Sequence, residues 1–303
     1  MNDVLKAVDL SKRFRRTEAL DHLDLSVPEG SIYGLVGPNG AGKTTAIKTL
    51  MNIFQPTGGS AEVLGVDSRR LGPHEFAQIG YVSENQEIPE WMTVAYLMNY
   101  LKPFYPTWDN AFAAGLLRQF DLPMDRKLKH LSRGMRMKAA LASSLAYRPK
   151  LIVLDEPFTG LDPLVRDELI EGLLDSAEGT TILISSHDLA EIESFASHIG
   201  YLDRGRLQFS EEMSSLAARF REVEITLDDA GQLQGQTPSN WPASWQLPEV
   251  SPAVVRFVET RFDPERTASD LRRMFPDAQQ ISMNPMPLRT IFVTLAKASR
   301  KVA

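Results

Sequence analysis

The sequence predicts an α/β fold: a mixed β-sheet core with an N-terminal antiparallel β part and a helical insert, followed by a small C-terminal α+β domain. Three observations predict it. The run Gly37 to Thr44 (GPNGAGKT) fits G-x-x-x-x-G-K-[ST] and stands between a strand-like stretch, Ile32 to Val36, and a helix-like one, Thr45 to Asn52. Leu151 to Leu154 and Thr181 to Ser185 read as strands buried on both faces of a parallel sheet, with Leu164 to Leu174 between them as the crossover helix. Past about Ser210 the composition shifts, which divides the chain into residues 1–212 and 213–303.

The elements follow in order. Leu5 to Leu10 and Leu23 to Val27 read as strands, with a turn at Pro28-Glu29-Gly30 before the next one. Ile79 to Ser83 is a further strand. A helical insert, about residues 88–147, begins with Leu97, Leu101 and Phe104 at helix spacing and continues with Phe112, Leu116, Leu117 and Phe120. Thr107 is the expected cap of its second helix. Met135 to Tyr147 is alanine-rich and helical. In the last domain Asp228 to Pro252 reads as loop or hairpin. Val254 to Thr260 and Gln280 to Met283 read as strands, Glu265 to Phe275 and Leu288 to Ser299 as helices.

Bulk properties exclude some function classes. The 303 residues carry a net charge of −6, so the chain as a whole is not built to coat nucleic acid. The absence of cysteine removes disulfides and thiolate metal sites, and fits a reducing compartment. The N-terminal run is expected not to be a signal peptide, and no window is apolar for the ~18 residues that a membrane span needs.

The chemistry lies in four runs. In GPNGAGKT the glycines let successive backbone N–H groups point inward at an anion, and the following helix lends its positive end. Lys43 would reach the β- and γ-phosphates of a nucleotide, and Thr44 would hold Mg²⁺ through its hydroxyl. In LIVLDEP, Leu151 to Pro157, Asp155 ends a buried strand where a carboxylate would serve the Mg²⁺, and Glu156 beside it is suited to polarise an attacking water. His187, in SSHD, ends another strand, where it would hydrogen-bond a γ-phosphate; taken alone it reads as a structural residue. Ser132 and the N–H of Gly134, in LSRGMR, would form an anion site at a helix N-terminus; alone they read as an ordinary N-cap.

The order GPNGAGKTT, LSRGMR, LIVLDEP, TGLD, SSH resembles the nucleotide-binding subunit of an ATP-binding cassette (ABC) transporter, a P-loop NTPase, over about Leu5 to Ser210. Within that family the free-standing ATPases of ABC-2-type exporters are the most similar. The resemblance implies that Phe14 stacks on adenine, against the alternative of a core Phe in an edge strand. It implies that Asn39, Gly40, Ala41, Gly42, Lys43, Thr44 and Thr45 hold the phosphates, that Thr44 and Asp155 serve Mg²⁺, and that Glu156, His187 and Lys43 form the catalytic set. Leu161-Asp162 resembles the loop that crosses between two subunits, and Ser132 and Gly134 would touch ATP in trans.

The sequence departs from the family pattern at three positions. Arg133 and Met135 replace a glycine and a glutamine of LSGGQ, and Arg133 either adds charge near the nucleotide or faces solvent. Glu84 holds the place of the glutamine that reads Mg²⁺, with Gln86 as the competing candidate.

The implied cofactors are ATP and Mg²⁺. The implied partners are a separate transmembrane permease and a second ATP-binding subunit, an identical chain being preferred to a related one. No nucleic acid is expected, and the place is the cytoplasmic face of the membrane. Trp91, Met92, Tyr96 and Tyr105 are the candidate docking residues, against the alternative that they pack inside the insert. The rival functions are an ABC ATPase acting on nucleic acid or ribosomes, and a module that binds ATP without turnover. The lack of sustained heptads and of a second cassette argues against the first, and Glu156 with His187 against the second.

Overall fold

In the computed structural model, which describes residues 2–84, 86–177, 179–227, 241–251 and 253–302, buried and exposed side chains alternate along the second half of β2 (Thr17–Pro28), and along β1 (Asp3–Phe14) the alternation is interrupted by register shifts. That alternation suits an antiparallel pair with one face on a core and one in water. The chain continues through β3 (Ile32–Val36) and α1 (Lys43–Leu50) and returns as β4 (Gly58–Val63) and β5 (Val66–Asp67). The first sheet therefore has the order β2-β1-β4-β5.

A short helix, α2 (Pro73–Phe76), leads into β6 (Ile79–Ser83). The insert follows as α3 (Val94–Leu101), α4 (Asn110–Gln119) and α5 (Arg133–Leu145). The chain then re-enters the core as β7 (Leu151–Asp155), α6 (Pro163–Ser176), β8 (Thr181–Ser186), β9 (His198–Asp203) and β10 (Arg206–Glu212). The second sheet runs β10-β9-β3-β8-β7-β6, and β9, β3, β8, β7 and β6 are parallel neighbours. Every residue of β7 and β8 is buried, as the apolar runs require. Helix α1 lies in the core shared by both sheets: Ala46, Ile47 and Leu50 pack with Leu5, Leu25, Val153 and Leu183.

The insert departs from expectation at two points. Helix α4 is capped by Asp109, whose Oδ1 accepts the Phe112 N–H (2.9 Å); the Thr107 hydroxyl instead donates to the Tyr147 carbonyl (2.6 Å). Thr107 is thus drawn off to α5's end, and the carboxylate two residues later takes the cap. Helix α3 stops at Leu101, because Pro103 offers no amide to extend it, and Phe104 ends a 3₁₀ turn with 62% of its surface exposed. Of the four candidate docking residues, Met92 is buried, and Tyr105 is half-buried with one ring face stacked on Tyr147 at 3.7 Å, as the packed alternative has it. Trp91 and Tyr96 are exposed and pack edge-to-face, and they are joined on the surface by Tyr100 and Phe104.

The chain divides into two units, residues 1–210 and 211–303. The second comprises α7 (Met213–Arg219), β11 (Arg221–Leu227), β12 (Trp245–Val250), β13 (Val254–Glu259), α8 (Pro264–Met274), β14 (Ala278–Pro285) and α9 (Leu288–Val302). Its antiparallel sheet runs β12-β13-β11-β14. Of the segment expected as loop or hairpin, residues 228–240 and 252 lie outside the described residues, while 245–250 are β12. Trp241 and Trp245 belong to this unit's core with Phe257 and Phe275, and the Trp245 indole donates to the buried Glu259 (2.9 Å). Arg261, Arg266, Arg272 and Arg273 are exposed.

Helix α6 meets the insert through a glycine. A Cβ on Gly172 would stand 2.2 Å from the ring of Phe120, which is 2% exposed and has nowhere to go. Gly172→Ala should therefore destabilise the chain by about 1–2 kcal/mol, overpacking outweighing the helix-propensity gain of about 1 kcal/mol. Denaturant unfolding of both proteins checks this.

Candidate functional site

The carboxyl ends of the parallel strands gather the polar residues, as expected of an open α/β sheet. In the order β3-β8-β7-β6, these ends lead into the Gly37–Thr44 loop, His187, Asp155-Glu156 and Glu84. The loop is tied to its neighbour by the Gly37 N–H, which donates to the Ser186 carbonyl (3.2 Å). Gly42 precedes α1 with φ +110°, and a Cβ there would fall 2.5 Å from the Ala19 carbonyl. Only glycine combines that dihedral with that approach.

Asp155 is buried, 3% exposed, and its Oδ1 accepts from the Ser185 hydroxyl (2.8 Å) and the Thr44 hydroxyl (3.0 Å). Burial pushes its carboxyl above the usual range, partly opposed by those two hydroxyls. Thr44 and Asp155 therefore converge two hard oxygen donors at one point, which fits a Mg²⁺ completed by phosphate and water. Among the described residues no group of three or more His, Cys, Asp or Glu is placed to hold a metal ion by itself.

Glu156 has φ +54°, a conformation rare for a residue with a side chain. Its N–H donates to the Ser185 hydroxyl (3.0 Å), which holds the turn. The carboxylate then reaches three groups: Lys43 Nζ at 3.0 Å, His187 Nδ1 at 2.8 Å and the Thr159 hydroxyl at 3.1 Å. Burial raises the Glu156 pKa, but His187, Lys43 and Thr159 together bring it below the ordinary carboxylate value. The Glu156 hydrogen bond in turn raises His187 above 6.5. Lys43 is buried, and its ammonium also donates to the carbonyls of Gly37 (2.6 Å) and Pro38 (3.2 Å).

A cavity of about 630 Å³ opens over this group. Asn39 to Thr45, Glu84, Glu156 and His187 line it, as do Thr17 to Ala19 and Arg204. Its size is that of a small-molecule site. Sequence reasoning passed over Thr17 to Ala19, Arg204, Thr159 and Ser185. Of these only Ser185 was traceable, since it ends the strand beside Asp155 and pairs with it in register.

Other candidates lie apart from the cavity. Phe14 does not line it; the ring is 40% exposed, edge-on to Phe54 at 5.2 Å with Lys12 Nζ at 4.8 Å. It is not a core residue, and β1 is an inner strand rather than an edge. Ser132 caps α5, its hydroxyl accepting the Met135 N–H (3.2 Å), and Gly134 is buried; neither lines the cavity. Glu84 lines it but is ion-paired with Arg133, an arrangement that neither reading of Arg133 anticipated. Gln86 lines a separate groove beside the insert.

The His187–Glu156 bond links stability to pH. His187's raised pKa makes its contribution complete below about pH 6.5, and lost as pH rises through the folded-state value. Glu156's lowered pKa makes its contribution present above about pH 4.5, and lost as pH falls through its own folded-state value. His187→Gln should thus cost most stability between about pH 4.5 and 6.5 and least in alkaline solution. Denaturant unfolding across pH tests this, and a pH-independent difference would contradict it.

Comparison with known proteins agrees with this geometry. Residues 20–159 match the family model described as ABC transporter. The chain is 38% identical over 208 residues to the daunorubicin resistance ATP-binding protein DrrA2 of Streptomyces coeruleorubidus, covering 67% of this chain and 65% of that protein. It is 31% identical over 234 residues to the bacitracin transport ATP-binding protein BcrA of Enterococcus faecalis, covering 76% of each. A solved ATP-binding subunit of an ABC transporter superposes with a TM-score of 0.65 at 28% identity, over 71% of this chain and 92% of that one. The chain belongs to the ATP-binding subunit family of ABC transporters.

Proposed function

We propose that this chain hydrolyses ATP and thereby powers a separate membrane permease. The observation that carries this reading is the position of Glu156, within hydrogen-bond reach of both Lys43 and His187 at the mouth of the cavity lined by the phosphate loop. The likeness to a daunorubicin-resistance and a bacitracin-transport ATP-binding protein supports an exporter's ATPase.

The residues divide the work as follows. Backbone N–H groups of Asn39 to Thr45 hold the phosphates at the start of α1. Lys43 leaves Glu156 and the two loop carbonyls to contact the β- and γ-phosphate oxygens. Thr44 and Asp155 would hold Mg²⁺, with Glu84 as a further oxygen donor, and the ion would offset charge on the phosphate oxygens. Glu156, released from Lys43, accepts a proton from the water whose oxygen attacks the γ-phosphorus as the bond to the β-phosphate oxygen breaks. His187 orients Glu156 and the water and donates to the γ-phosphate. We assign adenine stacking to Phe14, which does not line the cavity itself but pairs in register with Thr17, which does.

Ser132 and Gly134 lie outside the cavity of their own subunit, which supports contact with the nucleotide of a second one. We take that second subunit to be a copy of this chain. Closure follows when each γ-phosphate is gripped from both sides, and hydrolysis removes the grip. The likeness to transport ATP-binding proteins supports a permease on a separate chain and a peripheral place on the inner face of the cell membrane; no helix among the described residues is long and apolar enough to cross a membrane. Exposed Trp91 and Tyr96, extended by Tyr100 and Phe104, are the residues we assign to permease contact.

Mg²⁺-dependent ATP turnover by the purified chain, beside a Glu156→Gln variant, tests the reading. Turnover should fall by about 10²–10⁴-fold in the variant while ATP binding persists. Equal turnover in both proteins would exclude Glu156 as the base.

A further inference from the structure

Glu84 stands on the wall between two cavities, the nucleotide cavity and a groove of about 890 Å³ beside the insert, and it lines both. Its backbone is fixed: β6 pairs with β7 so that Ser83 lies opposite Asp155, and the Glu84 N–H donates to the Asp155 carbonyl (3.0 Å). Its side chain is ion-paired with Arg133, the first residue of α5. The Arg133 guanidinium also lies over Gly160, where a Cβ would come within 2.6 Å of Nη1. Gly160 follows Thr159, whose hydroxyl donates to Glu156. One guanidinium therefore touches both the loop after β6 and the loop after β7.

Charge explains why these residues go together. A carboxylate at position 84 adds a third negative side chain beside Asp155 and Glu156, and the neighbouring Arg133 offsets it. The carboxylate has lone pairs enough for both a cation and Arg133, but the guanidinium offsets its charge and draws it toward α5, so it is a weaker cation ligand while the pair holds. We infer that Glu84 and Arg133 form a single charge-paired unit that governs how tightly the nucleotide site takes its divalent cation, Arg133 acting as a positioning residue that holds Glu84 back. This rests on the reading of the cavity as a Mg²⁺–ATP site.

The test is equilibrium binding of Mn²⁺ to the full chain in the presence of the non-hydrolysable analogue AMP-PNP, read by electron paramagnetic resonance. The partners are partly exposed, and such pairs contribute about 0.2–1 kcal/mol, so Arg133→Ala should tighten Mn²⁺ binding by roughly 1.5- to 5-fold. Arg133→Lys, which keeps the charge, should stay near the parent. In a Glu84→Gln background Arg133→Ala should have no effect. An equal tightening in that background would show a general loss of positive charge and overturn the pairing. No tightening in either background would overturn it too. Absence of any nucleotide-dependent Mn²⁺ binding by the parent chain would instead overturn the Mg²⁺–ATP reading, and the inference with it.

Discussion

The candidate site depends on one buried carboxylate. Asp155 accepts hydrogen bonds from Thr44 at the start of α1 and from Ser185 in β8, and its carbonyl accepts the Glu84 N–H after β6. Three separate stretches of chain thus meet on a single residue of β7. A buried carboxyl without such partners would be costly, so the loops are held where their donors can reach it. The apolar strands β7 and β8 supply the burial that makes those bonds strong, and strand register puts Ser185 beside Asp155. Packing of the core and placement of the chemistry are in this sense one arrangement.

The next residue extends it. Glu156 takes a left-handed backbone conformation, a local cost of roughly 1–3 kcal/mol, and Ser185 stabilises it by accepting the Glu156 N–H. The turn points the carboxylate back over the phosphate loop, where it meets Lys43 and His187. In this state the buried ammonium of Lys43 has a carboxylate and two carbonyls as partners. A triphosphate would offer it the same kind of partner, so exchange of Glu156 for phosphate leaves no unpaired charge behind. The same exchange would release the base at the moment its substrate arrives.

Much of this was legible in the sequence, for identifiable reasons. The Gly37–Thr44 loop and the continuous apolar runs of β7 and β8 have local signals strong enough to stand alone. β4 (GGSAEV) and β9 (HIGYLD) have weak ones, since their pairing is decided by distant partners such as β1 and β3. In the insert, Thr107 was the expected cap, and Asp109 takes that role because the Thr107 hydroxyl donates to the Tyr147 carbonyl, 40 residues on. Met92 and Trp91 are adjacent and both apolar; Met92 turns inward where its carbonyl accepts the Leu128 N–H, and Trp91 is left outside. The Glu84–Arg133 pair spans 49 residues, and each position was read alone as a departure from a family pattern. The two departures answer each other only in space.

The most direct test of Asp155 as the meeting point of loop, strand and cation is ATP affinity with and without Mg²⁺, for the parent and for Asp155→Asn. The substitution keeps the size and one oxygen that can accept from both hydroxyls, but removes the charge. The account predicts that Mg²⁺ strengthens ATP binding in the parent and ceases to do so in the variant, with metal-free binding little changed. An undiminished Mg²⁺ effect in the variant would contradict it.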